Sequence, residues 1–185
     1  MRSSDLVPVD TAFETLLARY GAPVLLGKKP AALFAVPQDV SRQDVSRYDM
    51  SRQDAGAGGL RFLNLRRPGH GPLVFAFRPR LLEATLENPQ VRRALEGFGY
   101  PVSGGLEALL RRLDRRVRES PEFPHEIGFF LGYPPHDVLG FIDNRGAGSK
   151  LGGPWKVYDD VEGAAALFKE YAHCKRRLLD HLGRG

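Results

Sequence analysis

The chain has 185 residues, 42% of them hydrophobic and 26% charged, with one cysteine and a formal net charge of +5. That length suits one domain with a sizeable core, and no apolar run approaches the ~18 residues that span a bilayer. The opening Met1-Arg2-Ser3-Ser4-Asp5 lacks the apolar stretch of a secretory signal, and the lone Cys174 excludes an internal disulfide and a Cys-based zinc cluster, so a cytoplasmic protein without a membrane partner or a metal site is expected.

Thr11-Ala12-Phe13-Glu14 has the form of a capping box, and Phe13, Leu16, Leu17 and Tyr20 follow at helical spacing. A first helix is expected over about 11–20, stopped by Gly21 and Pro23. Ala31 to Val36 reads as a strand ended by Pro37. Three pentads then follow, Val40-Ser41-Arg42-Gln43-Asp44 and its two variants. A five-residue period turns ~140° in a helix and changes face in a strand, so Val40, Val45 and Met50 cannot share a buried side. Residues 38–59 are therefore read as an exposed or flexible insert, with a protein partner for the repeated Ser-Arg left open.

Leu60–Leu65 and Leu73–Phe77 flank a loop rich in Pro and Gly and predict an antiparallel hairpin. The second strand is apolar on both faces and belongs in the middle of a covered sheet. Two short helices are expected at about 79–87 and 89–97, the second capped by Asn88 with Pro89 in its first turn. Ser103 is placed as the cap of a longer helix with Leu106, Leu109, Leu110, Leu113 and Val117 in one stripe. Phe123-Pro124-His125-Glu126 leads into an apolar run read as a buried strand at about 126–131. Val138, Leu139, Phe141 and Ile142 predict a helix closed by Asn144-Arg145-Gly146. A short strand at Trp155–Tyr158 and a long helix capped by Asp159 and Glu162 complete the chain, that helix carrying Leu167, Tyr171, Cys174, Leu178 and Leu182 along one side. The expected class is α+β, or mixed-sheet α/β: a single-domain sandwich of about five strands with helices packed on the sheet.

No nucleophile elbow, zinc-protease helix, dinucleotide fingerprint or EF-hand is present, and Gly146–Gly153 lacks the spacing of a phosphate loop. The candidates are individual residues. His125, with a pKa near neutrality, is either hydrogen-bonded into the core or catalytic. Adjacent His125 and Glu126 would point to opposite faces of a strand, which argues against a shared metal. Asp137 is either helix-start stabilisation or a functional group, as a ligand contact or, with His125 and Glu126, a catalytic candidate. Arg78, at the end of the most apolar strand, either holds a carboxylate or phosphate bidentately or pairs within the chain. Trp155 is either a core plug or an aromatic pocket wall. Arg111, Arg112, Arg115, Arg116 and Arg118 read first as a solvated helix face.

Pro124-His125-Glu126-Ile127-Gly128, Phe130-Leu131-Gly132-Tyr133-Pro134, Asp137-Val138, Gly140-Phe141-Ile142, Trp155-Lys156-Val157-Tyr158 and the helix with Phe168, Tyr171 and Cys174 together resemble a bacterial domain-of-unknown-function family, number 3793. Ala22-Pro23, Lys29-Pro30-Ala31 and Arg78-Pro79 extend that resemblance over nearly the whole chain. It implies an accessory role but no catalytic residue and no particular cofactor. This chain has Gly152-Gly153-Pro154-Trp155 where the family has a Cys-Gly-Tyr-Trp segment, so a cysteine pair with Cys174 does not carry over.

The leading expectation is an accessory or binding protein whose pocket, at strand ends, brings Arg78, His125, Tyr133, Asp137 and Trp155 around a small anionic or cofactor-like ligand. The first alternative is an enzyme with His125 or Glu126 as general acid/base and Arg78 stabilising negative charge. The second is nucleic-acid or other polyanion binding through Arg111, Arg112, Arg115 and Arg116, the least expected of the three.

Overall fold

A computed structural model describes residues 12–37 and 59–183. The pentads and Thr11 of the capping box lie outside the described residues.

Helix α1 spans Ala12–Leu25. It continues through Gly21 and Pro23, where a stop was expected. Phe13, Leu17 and Val24 are buried on its inner side, so packing overrides two weak helix formers. Strands β1 (Ala31–Ala35), β2 (Arg61–Leu65) and β3 (Leu73–Phe77) form an antiparallel sheet in the order β1-β3-β2. Ala31 and Arg61 both pair with Phe77, and Ala35 and Leu65 with Leu73, so the predicted hairpin is present and its second strand is the central one.

The alternation of β3 divides the core. Val74 and Ala76 face α1, where Phe13, Leu17, Phe34 and Phe62 join them. Phe75 and Phe77 face the other way, into the larger cluster built by the helices that follow. At ~25 cal/mol per Å² of buried apolar area, two such covered faces are what make a three-stranded sheet stable.

Those helices are α2 (Pro79–Leu86), α3 (Pro89–Gly97) and α4 (Gly105–Glu119). The Asn88 side chain accepts from the N–H groups of Gln90 and Val91, as the sequence predicts for α3. All five residues of the α4 stripe are buried. Ser103 is not its cap, because Val102–Gly104 forms a 3-10 turn that shifts the helix start to Gly105.

The expected strand at 126–131 is instead the short helix α5, Ile127–Phe130. All four of its residues are buried, so the segment is apolar on every side and its periodicity carries no information on helix or strand. Its end is diagnostic: Gly132 has φ +74°, its N–H donates to Phe129 O, and the Tyr133 N–H donates to Gly128 O, the paired bonds of a Schellman stop.

Helix α6 spans Pro135–Asp143. Strands β4 (Leu151–Gly152) and β5 (Lys156–Val157) form a separate antiparallel hairpin, and α7 (Val161–Leu182) packs along α1. Asp160, one residue beyond the predicted cap, accepts from the Gly163 N–H. The class is α+β, but the five strands divide into a sheet of three and a hairpin of two, with helices on both faces of the larger sheet; they do not make a five-stranded sandwich. No helix among the described residues is long and apolar enough to cross a membrane.

Candidate functional site

Pro134 and Pro135 open α6 and bring Asp137 into its first turn, where the positive helix end favours a carboxylate. Asp137 is buried, and its side chain fastens the β4–β5 hairpin to the helix. Its Oδ2 accepts from Trp155 Nε1 at 2.8 Å and its Oδ1 from the Tyr158 N–H at 2.7 Å. His136 Nε2 lies 3.4 Å from the same Oδ1. Both oxygens thus serve the architecture, one at each end of β5.

Held in this way, the indole of Trp155 becomes the centre of an aromatic cluster. Tyr133 stacks on it at 4.9 Å between centroids, and Phe168 meets it edge-on at 4.5 Å. The Tyr133 hydroxyl donates to Pro154 O at 3.2 Å, and burial pushes its pKa up to about 12. Gly153 is required at its position, since a Cβ there would fall 2.2 Å from the Phe168 ring.

Beside this cluster opens a cavity of about 330 Å³. α5 supplies Ile127 and Gly128, α6 supplies Val138 and Phe141, and the hairpin supplies Gly153 to Lys156; Leu131, Tyr133, Asp137 and His125 complete the lining. The walls are mostly apolar and aromatic. His125 and Lys156, both exposed, are the lining residues whose side chains can carry positive charge. The His125 ring leans on Phe141 at 4.9 Å and on Phe123 at 6.4 Å.

Four of the five expected ligand-binding residues, His125, Tyr133, Asp137 and Trp155, line this one cavity; Arg78 does not. This is a correction with a clear cause: Arg78 donates through Nε to Val24 O at 2.6 Å and through a terminal nitrogen to Leu25 O at 2.5 Å. Its fork neutralises the carbonyl end of α1, which Arg78, the residue just past the end of central strand β3, reaches directly. Glu126 is likewise turned away from the cavity. It is buried and accepts from Arg116 Nε at 2.8 Å and the Tyr100 hydroxyl at 3.2 Å. The bond to Glu126 raises the Arg116 pKa, and burial, followed by the carboxylate, raises that of Tyr100.

The arginines of α4 are dispersed rather than pooled. Arg116 holds Glu126 and Arg118 holds Asp114, while the Arg112 Nε is enclosed without a partner and Arg111 and Arg115 are exposed. Among the described residues no group of three or more His, Cys, Asp or Glu side chains could hold a metal ion. Cys174 is buried in α7, and burial raises its pKa.

Lys29 is the residue that sequence reasoning missed. In the sequence it is the second lysine of Gly27-Lys28-Lys29-Pro30, just ahead of the predicted strand. In the fold it is buried at 8% exposure, its Nζ 4.8 Å from the Tyr133 centroid and 5.7 Å from that of Tyr171. Burial alone lowers its pKa to about 8. The available signal was Pro30 immediately after it: the Pro30 ring packs where a Cβ on Gly132 would lie 2.5 Å away, and that contact draws the turn against Tyr133.

Fold and site together define an α+β protein with an apolar cleft walled by aromatic rings. Residues 17–185 match the family model described as Protein of unknown function (DUF3793), and the chain belongs to that family. No curated protein and no solved structure matches it.

Proposed function

We propose that this chain is a binding protein for a small planar ligand, largely apolar and bearing negative charge, in an accessory rather than catalytic capacity. The observation that carries the reading is the cavity of about 330 Å³ between α5, α6 and the hairpin, within the size range of small-molecule sites. The stacked Tyr133–Trp155 pair offers a flat wall, and Asp137 fixes the indole before any ligand arrives, which reduces the entropy lost on binding. The enzyme reading is weaker because Glu126, Arg78 and Asp137 are already bonded, to Arg116 and Tyr100, to the α1 carbonyls, and to Trp155 and Tyr158 respectively. The polyanion reading is weakened by the ion pairs within α4 and to its neighbour.

Trp155 is the only tryptophan, so its emission reports directly on the cavity. Titration with 8-anilinonaphthalene-1-sulfonate, flavin mononucleotide or haem is expected to quench it with one-to-one saturation for at least one of the three. Val138→Phe, which adds volume to the α6 wall, is expected to abolish that quenching in a protein that still melts cooperatively. Emission indifferent to all three compounds overturns the reading.

A further inference from the structure

We infer that Lys29 is the receptor for the ligand's negative charge: a carboxylate-sized anion supplied by the ligand reaches its ammonium past the edge of Tyr133 and becomes the counter-ion that the chain does not provide. This rests on the cavity reading above and assigns the charge recognition within it.

Three observations carry the inference. Three charged residues are buried among the described residues, Lys29, Glu126 and Asp137, and only Lys29 has neither an ion pair nor a side-chain hydrogen bond. Its Nζ lies over the faces of Tyr133 and Tyr171, which attract a cation without neutralising it. The second is access. Among the described residues the fully enclosed side-chain N and O atoms without a partner are Arg112 Nε and the Tyr158 hydroxyl; Lys29 Nζ is not one of them, and Lys29 keeps 8% of its surface exposed. The third is position, because the ring against which Nζ rests is the same Tyr133 that walls the cavity and stacks on Trp155.

The other cations near the cavity are poorer receptors. Lys156 and His125 are exposed, and a solvated charge attracts an anion only weakly, whereas a desolvated one without a counter-ion attracts it strongly. The neighbouring carboxylate on α7, Glu170, is held by Lys28 at 3.0 Å. The two phenols whose rings Lys29 lies over have pKa values pushed up to about 12, chiefly by burial, and are therefore neutral at physiological pH.

An anion bound at Lys29 must draw a proton onto it, and this gives the test. Calorimetric titration of the full chain with 2-naphthoate, in Tris and in triethanolamine, counts protons from the difference in buffer ionisation heat. Proton uptake is expected to grow from pH 7 to pH 9, since Lys29 loses its proton near pH 8. Lys29→Met is expected to weaken 2-naphthoate roughly tenfold or more while leaving neutral 2-naphthamide unchanged. Naphthoate binding without rising uptake, or with undiminished affinity in Lys29→Met, overturns this inference and leaves the cavity reading intact. Absence of binding by both naphthalenes to the wild-type chain overturns both. The proton count on the wild-type protein decides the matter even where the variant fails to fold.

Discussion

The junction of α4 with α5 and the corner between α1, Tyr133 and α7 each bury a charge, and they treat it in opposite ways. At the junction Glu126 meets Arg116 and Tyr100, and in the first turn of α6 Asp137 meets Trp155 and Tyr158. At the corner Lys29 meets only rings. Burying an ion is unfavourable by several kcal/mol unless partners compensate it. Where the chain supplies those partners the charge is a fastening, and its removal leaves donors stranded. Where it supplies none, the fold tolerates a standing penalty, which a ligand can relieve.

The largest effect is expected on the compensated side. Asp137→Ala strands the Trp155 indole N–H and the Tyr158 amide in a buried setting, two charge-assisted bonds worth about 4 kcal/mol together. Urea unfolding followed by Trp155 emission should show that loss, with a red-shifted native spectrum as the hairpin leaves α6. A loss below ~1 kcal/mol would mean that the hairpin is held by ring stacking alone.

Lys29→Met should act in the opposite direction. Lys29 is lowered from 10.5 to about 8, and at ~1.4 kcal/mol per pH unit the variant is expected to be more stable than wild type by about 3 kcal/mol at pH 7. Because the folded-state pKa is the lower one, the unfolded chain binds more protons between pH 8 and 10.5, and wild-type stability rises through that window. The penalty is complete below pH 8, so the advantage of the variant should close as pH climbs from 8 to 10.5. Urea midpoints of the two proteins at pH 7, 9 and 10 measure this directly. Lys28→Met, at the adjacent exposed position, should leave the midpoint where it is.

The same contrast explains what could be read from the sequence. Periodic segments with local punctuation were legible: the α4 stripe, the Asn88-Pro89 start of α3, and the hairpin whose apolar second strand became the central one. The 126–131 run was not, because a fully buried helix and a fully buried strand share one composition; the Gly132 stop was the only local clue. The site was half legible. His125, Tyr133, Asp137 and Trp155 sit close enough in sequence to be grouped, and they do share a cavity. Arg78 and Lys29 are decided by long-range packing, and one exchanged places with the other: the arginine at a strand end was absorbed by α1, and the lysine of a surface-like turn was buried.

Glu126→Gln offers the smallest change and the sharpest separation. The amide keeps an oxygen for Arg116 Nε and the Tyr100 hydroxyl but gives up the charge, and Arg116, about a third exposed at 31%, can return to water. The expected loss is about 2 kcal/mol, below that of Asp137→Ala, because the donors keep an acceptor. Glu126 does not line the cavity, so the affinity of 2-naphthoate should be unaltered. The two buried charges then separate cleanly: removing the paired one lowers stability and spares binding, and removing the unpaired one raises stability and abolishes anion preference. Loss of naphthoate affinity in Glu126→Gln would instead couple the α4–α5 junction to the cavity and return Glu126 to the site.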